Sequence, residues 1–154
     1  MKIKLNIFLT IVLTLSAFFL FGCSKNEEGM VTTKSGLKYK DIVVGTGTEA
    51  VKGKNVWAHY IGTFEDGKKF DDSHERNAPI GWQLGTGGIG QVIPGFDEGV
   101  IGMKVGGKRK LIIPPKLAFG EVGLPEDPKS NTYIIPPNTT LVYIVELLDV
   151  KDLQ

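Results

Sequence analysis

Gln91-Val92-Ile93-Pro94-Gly95-Phe96-Asp97-Glu98-Gly99-Val100-Ile101-Gly102 carries the helix-like spelling around which the rest of the chain must be arranged. Pro94 suits the first helical position, where its missing N–H would be unpaired anyway. Asp97 and Glu98 then fall in the first turn, where the helix dipole favours negative charge. Phe96 and Val100, four apart, share one face. Gly99 and Gly102 each cost about 1 kcal/mol relative to Ala, so a helix here cannot stand alone. Strand-like segments on both sides predict a sheet wrapped over its apolar face.

Working outward, Lys110 to Ile113 reads as a strand stopped by Pro114-Pro115, and Leu117 to Thr132 as a long loop with a polar tip from Glu126 to Asn131. Leu141 to Val150 is a last strand, with Leu141, Tyr143, Val145 and Leu147 on one face. On the other side, Gly85 to Gly90 is a glycine-rich connector and Pro79 to Leu84 a strand candidate. Asp66-Gly67 marks a hairpin turn between Phe64 and Phe70. Val56 to Ile61 is a strand that sets Val56, Ala58 and Tyr60 against Trp57, His59 and Ile61. Gly36 to Val44 alternates at Leu37, Tyr39 and Ile42. Strands dominate, so the fold class is α+β: a twisted, mainly antiparallel β-sheet curled around one short α-helix.

A chain of 154 residues with 20 glycines and 8 prolines fits one turn-rich domain plus a tail. Its formal charge is +1; the eighteen basic residues less Lys2 and Lys4 of the leader leave sixteen against seventeen acids, so the mature chain is near −1. Lys108-Arg109-Lys110 is the one basic run and reads as a solvated strand edge, which argues against nucleic acid as a partner. Asp71 and Asp72 are adjacent on a strand and point to opposite faces, a poor arrangement for one shared metal. No metal and no cofactor is expected. His59 lies opposite Tyr60 and reads as structural, and His74 sits in a polar loop.

Met1 to Gly22 has the layout of a secretory signal: Lys2 and Lys4, an apolar run from Leu5 to Phe21, then Gly22-Cys23. Leu20-Phe21-Gly22-Cys23 resembles the bacterial lipobox, in which cleavage precedes a cysteine that receives lipid. Cys23 is the only cysteine, so no intramolecular disulfide can form. The expected organisation is residues 1–22 as lipoprotein signal, 23–34 as lipidated Cys23 and tether, and 35–152 as the folded domain. Localisation follows: the cell envelope, anchored by lipid to a bacterial membrane on its periplasmic or extracellular side.

Val56-Trp57-Ala58-His59-Tyr60-Ile61-Gly62, Asp66-Gly67-Lys68-Lys69-Phe70-Asp71, Val92-Ile93-Pro94-Gly95-Phe96, Lys110-Leu111-Ile112-Ile113-Pro114-Pro115 and Ile134-Ile135-Pro136-Pro137 occur in that order. Together they resemble the FKBP family of peptidyl-prolyl cis-trans isomerases over about residues 35 to 150. The resemblance implies a fold in which an antiparallel sheet curls around one short helix. It also implies a catalytic pocket of Tyr60, Phe70, Asp71, Phe96 and Phe119, with Arg76, Trp82, Val92, Ile93, Ile134, Ile135 and Tyr143 binding substrate. Phe96 would form the floor, the Ile93 N–H would hold a substrate carbonyl, and Arg76 would partner Asp71. Phe96 stands where Trp is common, Ile80 where Phe is frequent, and Phe119 where a Tyr hydroxyl is usual. Proline-containing polypeptides are the implied partners, with macrolide immunosuppressant-type ligands beside them.

The implied chemistry needs no nucleophile. Rotation about a peptide bond is opposed by ~18–20 kcal/mol because of C–N double-bond character. The planar amide is more charge-separated than the twisted transition state, so a dry aromatic pocket favours the latter. The alternative is a non-catalytic proline-peptide binding module or chaperone at the cell surface, or an interaction protein using the 124–133 loop. Taken singly, Tyr60, Trp82 and Phe96 also suit an ordinary core.

Overall fold

The computed structural model describes residues 29–86, 92–128 and 132–152. The leader, Cys23, most of the Gly85 to Gly90 connector and the end of the 126–131 tip lie outside the described residues. Among the described residues, no helix is long and apolar enough to cross a membrane.

The chain forms β1 (Val31–Thr32), β2 (Lys38–Val43), β3 (Asn55–Phe64), β4 (Lys69–Asp72), β5 (Ile80–Gln83), α1 (Pro94–Val100), β6 (Lys108–Ile113), a 3-10 turn (Pro115–Leu117), β7 (Leu124–Pro125), β8 (Tyr133–Ile135) and β9 (Leu141–Lys151). The main sheet runs β1-β2-β6-β9-β3-β4, with β5 also paired to β3. Every pairing is antiparallel. β3 and β9 form its spine, from Asn55 opposite Lys151 to Phe64 opposite Leu141. Their alternation is what the sequence predicts: Leu141, Tyr143, Val145 and Leu147 are all buried. A register shift between Trp57 and Ala58 leaves Leu148 exposed and returns Val150 to the core.

Helix α1 lies across the inner face of the sheet, with Pro94 at its start and Phe96 and Val100 buried. Its glycines are what allow the approach. A Cβ on Gly99 would meet Leu111 Cδ1 at 2.5 Å, and one on Gly95 would meet Ile113 Cγ2 at 2.4 Å. Fully burying Phe96 and Val100 contributes about 1.5–3 kcal/mol each, more than the propensity that the two glycines lose. Gly102 falls outside the helix, which closes at Val100; its φ of 76° is a turn conformation that glycine adopts without strain.

Two expectations are corrected by the sheet. Arg109 is not a solvated edge residue; it is 6% exposed. Its Nε donates to Asp41 at 2.7 Å, its Nη1 donates to the Gly99 and Ile101 carbonyls at 2.9 and 3.0 Å, and its guanidinium lies 4.5 Å from the Tyr39 ring centroid. It thus caps the helix C-terminus, a placement that the helix dipole favours. The stretch from Leu117 to Thr132 is not all loop, because Leu124 pairs with Ile135 and Pro125 with Tyr133 in a second, two-stranded sheet. The structure also adds β1, at the end of the stretch read as a tether, pairing Val31 with Tyr39 and Thr32 with Lys38. Ile42 leaves the alternation of β2 and is 52% exposed, at the register shift between Asp41 and Val43.

Candidate functional site

Where β3, β4, β5 and β9 meet the start of α1, a cavity of about 170 Å³ is lined by Tyr60, Asp71, Ile80, Val92, Ile93, Phe96, Phe119 and Tyr143. Tyr60 and Tyr143 reach it because inner-facing residues alternate along β3 and β9. Ile93 is the N-cap of α1, with extended backbone, and Phe96 is one turn further on. The rings of Tyr60, Phe96 and Tyr143 meet edge to face, with centroids 5.2 to 5.7 Å apart. Such contacts fix ring orientation and contribute about 0.5–1.5 kcal/mol each beyond area burial. Phe96 is 2% exposed, so it forms the floor rather than a wall.

One wall is polar. The Tyr60 hydroxyl donates to Asp71 Oδ2 at 2.6 Å and accepts from Arg76 Nη2 at 3.0 Å, while Arg76 Nη1 also donates to Asp71 Oδ1. Burial, then the hydrogen bond to Asp71 and its charge, push the Tyr60 hydroxyl above the usual phenol range despite Arg76. Burial pulls Asp71 upward, but hydrogen bonds from Tyr60 and Arg76 together with the guanidinium charge outweigh it, and its carboxyl sits below the usual range. The Tyr143 hydroxyl is raised too, by burial first and then by Tyr60 and Asp71. All three groups therefore hold one protonation state around neutral pH: an anionic Asp71 beside two neutral phenols.

Of the residues singled out from the sequence, Tyr60, Asp71, Val92, Ile93, Phe96, Phe119 and Tyr143 come together around this cavity. Arg76 stands at its rim through Asp71 and Tyr60. Four do not line it. Phe70 stands behind Tyr143, its ring edge-on at 5.7 Å, and lies 5.1 Å from Phe64. Trp82 is buried 5.5 Å beneath Phe96 and donates its indole N–H to Asp97 at 2.9 Å. Ile135 is core at 2% exposure, and Ile134 is a surface residue at 46%.

The sequence reading missed three contributors. Ile80 was noticed only as a departure from family usage, yet it is a wall. Gly62 leaves room for the Phe70 and Tyr143 rings, which a Cβ there would meet at 2.7 and 3.0 Å; its signal is its place two residues after Tyr60, on the same face. Asp97, read as a dipole partner, is 3% exposed and also accepts the Gly85 N–H at 3.0 Å, so it fastens β5 under the helix. Asp72 does turn away from Asp71, toward Lys69 Nζ at 3.1 Å and the His74 ring. His59 stacks on His74 at 4.3 Å and contacts Ser73 Oγ at 2.8 Å. That hydroxyl also accepts the Tyr60 N–H at 2.8 Å, so it fixes backbone rather than serving as a nucleophile.

The family pattern described as FKBP-type peptidyl-prolyl cis-trans isomerase matches residues 46–148. The chain is 48% identical over 117 residues to the FK506-binding protein of Neisseria meningitidis serogroup B, an alignment covering 76% of this chain and 98% of that one. It is 44% identical over 125 residues to the FKBP-type peptidyl-prolyl cis-trans isomerase FkpA of Escherichia coli K12, covering 81% of this chain and 42% of that protein. The chain thus spans less than half the length of that longer relative. The crystal structure of FkpA from Escherichia coli superposes with a TM-score of 0.69 at 43% identity, covering 82% of this chain and 54% of that chain. That of AtFKBP13 gives 0.68 at 40% identity, covering 78% and 97%.

Proposed function

The chain belongs to the family of FKBP-type peptidyl-prolyl cis-trans isomerases, and from that premise we propose that it accelerates X-Pro rotation in exported or envelope proteins without covalent chemistry. The observation that carries this is the cavity itself: an aromatic floor and walls at Phe96, Tyr60, Tyr143 and Phe119, with one charged group, Asp71, tied up by two donors. A volume of about 170 Å³ is below the roughly 300–1,000 Å³ of most small-molecule sites, which suits a prolyl ring and its amide better than a large cofactor.

In this reading the prolyl ring sits on Phe96, between Tyr60 and Tyr143. The Ile93 N–H, at the mouth of the helix, holds a substrate carbonyl while the bond turns. Removing water from the amide disfavours its charge-separated planar form. X-Pro bonds interconvert over tens to hundreds of seconds unaided, slow enough to limit folding. Binding energy from the flanking peptide holds one side fixed while the other rotates.

Asp71 and Arg76 act by orienting Tyr60, and Phe70 and Trp82 act from behind by fixing Tyr143 and Phe96. Macrolide-type ligands would compete by seating only a prolyl-sized portion in the same cavity; the Neisseria relative is named for binding FK506. The leader and Cys23 support export and lipid anchoring at the cell envelope, with Ser24 onward as the tether. A protease-free or protease-coupled assay of a proline tetrapeptide tests the function. Turnover that persists with a chelator present and falls when a macrolide is added is the expected result. Peptide binding without acceleration would instead establish the non-catalytic module.

A further inference from the structure

The strand that carries Asp71 stops just short of Tyr60. Ile61 pairs with Asp72 and Gly62 with Asp71, so Ser73 falls opposite Tyr60 as the next rung of the β3–β4 ladder. That rung is made half by backbone and half by a side chain. The Ser73 N–H donates to the Tyr60 carbonyl at 3.0 Å, but the Tyr60 N–H donates to Ser73 Oγ at 2.8 Å instead of to the Ser73 carbonyl. The carbonyl is thereby released, and it accepts the Ala78 N–H at 3.1 Å. This bond closes the 73–78 loop. Within it the Asn77 N–H donates to the His74 carbonyl at 2.9 Å, and Asn77 takes a φ of 48°, a left-handed conformation that Asn tolerates. Arg76 rides on this loop and reaches Asp71 and the Tyr60 hydroxyl from it. One serine side chain thus ties the Tyr60 backbone to the loop that brings Tyr60 its partner.

What orients that hydroxyl follows from its bonds. Ser73 is fully buried, and its Oγ meets the Tyr60 N–H at 2.8 Å, the Tyr60 carbonyl at 3.1 Å and His59 Nδ1 at 2.8 Å. A hydroxyl has a single proton to give and lone pairs to accept with. The amide can only donate and the carbonyl can only accept. All the contacts are hydrogen bonds only when the Ser73 proton goes to the carbonyl and His59 Nδ1 donates to Oγ. His59 must then carry a proton on Nδ1. Its ring is held in turn by His74, stacked on it at 4.3 Å, with Asp72 Oδ1 3.2 Å from His74 Nδ1 and Glu146 Oε2 3.7 Å from His74 Nε2. His59 lies on the face of β3 opposite Tyr60, so it acts on the cavity only through Ser73.

We propose that Ser73, oriented by the His59 Nδ1–H, is a positioning residue for the reaction: it sets the Tyr60 backbone and the reach of Arg76 together, so that the wall of Tyr60, Asp71 and Arg76 is assembled before substrate arrives. The inference rests on the isomerisation proposed above. Without this joint the assembled wall becomes one arrangement among several. Apparent affinity then falls by the fraction that stays competent, whereas saturated protein turns over nearly as before. A serine that only supported the fold would lower Tm and leave the KM of the folded protein unchanged.

The test uses the full chain and combines turnover of a proline tetrapeptide, thermal melts and the nitrogen chemical shifts of the histidine rings. His59→Leu removes the donor and should raise KM about tenfold, as for a wall competent about one-tenth of the time, with kcat little changed. His59→Asn carries an N–H at the same place in its side chain and should recover most of the loss. His59→Gln, whose amide lies one methylene further out, should not. Ser73→Ala should raise KM more than His59→Leu does; if it fails to fold, the His59 series decides alone. In alkaline buffer the His59 signals should show a proton on Nδ1 and none on Nε2. A His59→Leu variant with lowered Tm and parental KM overturns the proposal, as does a proton on Nε2 instead of Nδ1, or His59→Gln recovering as well as His59→Asn. A parent chain without turnover refutes the isomerisation alone. The Kd of the same tetrapeptide then takes the place of KM, and the same order among the variants supports the joint while equal values overturn it.

Discussion

Tyr60, Asp71 and Arg76 form a closed set in which each satisfies another, and this makes the cavity insensitive to pH over the neutral range. Asp71 is held below the ordinary carboxylate range in the folded chain. A depressed carboxylate contributes stability that is present above its unfolded value, about 3.9, and is lost as pH falls through the folded value. The predicted kcat/KM profile is therefore flat from about pH 5 to pH 8, with a loss only in more acidic buffer. Asp71→Val should abolish that acid limb and lower kcat/KM, because Tyr60 loses the partner that orients it, and it should lower the neutral-pH melt modestly, because the stability that the depressed carboxyl contributes is lost with it. Tyr60→Phe, which removes only the hydroxyl, should retain substantial turnover if desolvation dominates. An Asp71→Val variant with full parental kcat/KM would remove Asp71 from the site. Much of the candidate cavity was legible in the sequence, since Tyr60, Asp71, Ile93 and Phe96 converge as their blocks imply and Tyr143 reaches it from the inner face of the last strand. Phe70 and Trp82 were not legible as supports, because a motif records that an aromatic is required and not whether it faces the ligand or the ring behind it.

At the scale of elements, α1 is held by what it packs against, and its glycines are the proof. Gly99→Ala gains about 1 kcal/mol of helix propensity but drives a methyl into Leu111, which is fully buried and cannot yield. Overpacking of this kind costs about 1–3 kcal/mol, so the variant should melt several degrees below the parent. A rise in Tm would mean that helix and sheet are not in the contact described. Arg109 is the second fastening. Breaking a buried pair costs about 3–5 kcal/mol, and the 35% exposure of the Asp41 side chain puts this one at the lower end. Arg109→Lys should recover little of the loss seen for Arg109→Ala, because one ammonium cannot reach Asp41 and both helix carbonyls together. The principal strands and the helix could be read from alternation and from Pro94. β1, β7 and β8 could not, because two or three residues are too few to show a period. The burial of Arg109 was hidden as well: Lys-Arg-Lys looks uniformly solvated until the strand's alternation turns its middle residue inward.

For the whole molecule, the question is whether the cavity depends on anything outside one sheet and one helix. Every residue around it comes from β3, β4, β5, β9, α1 and the two residues before it, or the segment after β6, and the chain reaches these only after β1 and β2 have closed the far edge. Residues 29–154 should therefore fold and show the proposed turnover as the full chain does, although the chain spans only part of its longer relative. Beginning instead at Ser35 removes β1 and leaves the β2 edge open beside Ile42, Val43 and Val44. The lost contacts are few: two pairs in the ladder, the Thr33 N–H to Leu37 carbonyl bond at 2.8 Å, the Gly36 N–H to Thr33 carbonyl bond at 3.1 Å and the Thr33 to Ser35 hydroxyl contact at 2.7 Å. The Ser35 hydroxyl still donates to Glu98 at 2.9 Å, so the strap from the N-terminal segment to α1 survives in kind. The expected outcome is a Tm lower by only a few degrees, unchanged kcat/KM at low concentration, and self-association that grows with concentration, because an unpaired apolar edge strand is a template for another. Melts, turnover and sedimentation on the two truncations measure the three effects separately. A loss of turnover in the shorter form while it remains folded and monomeric would show that the edge strand and the cavity are coupled through the sheet, contrary to the placement of the site.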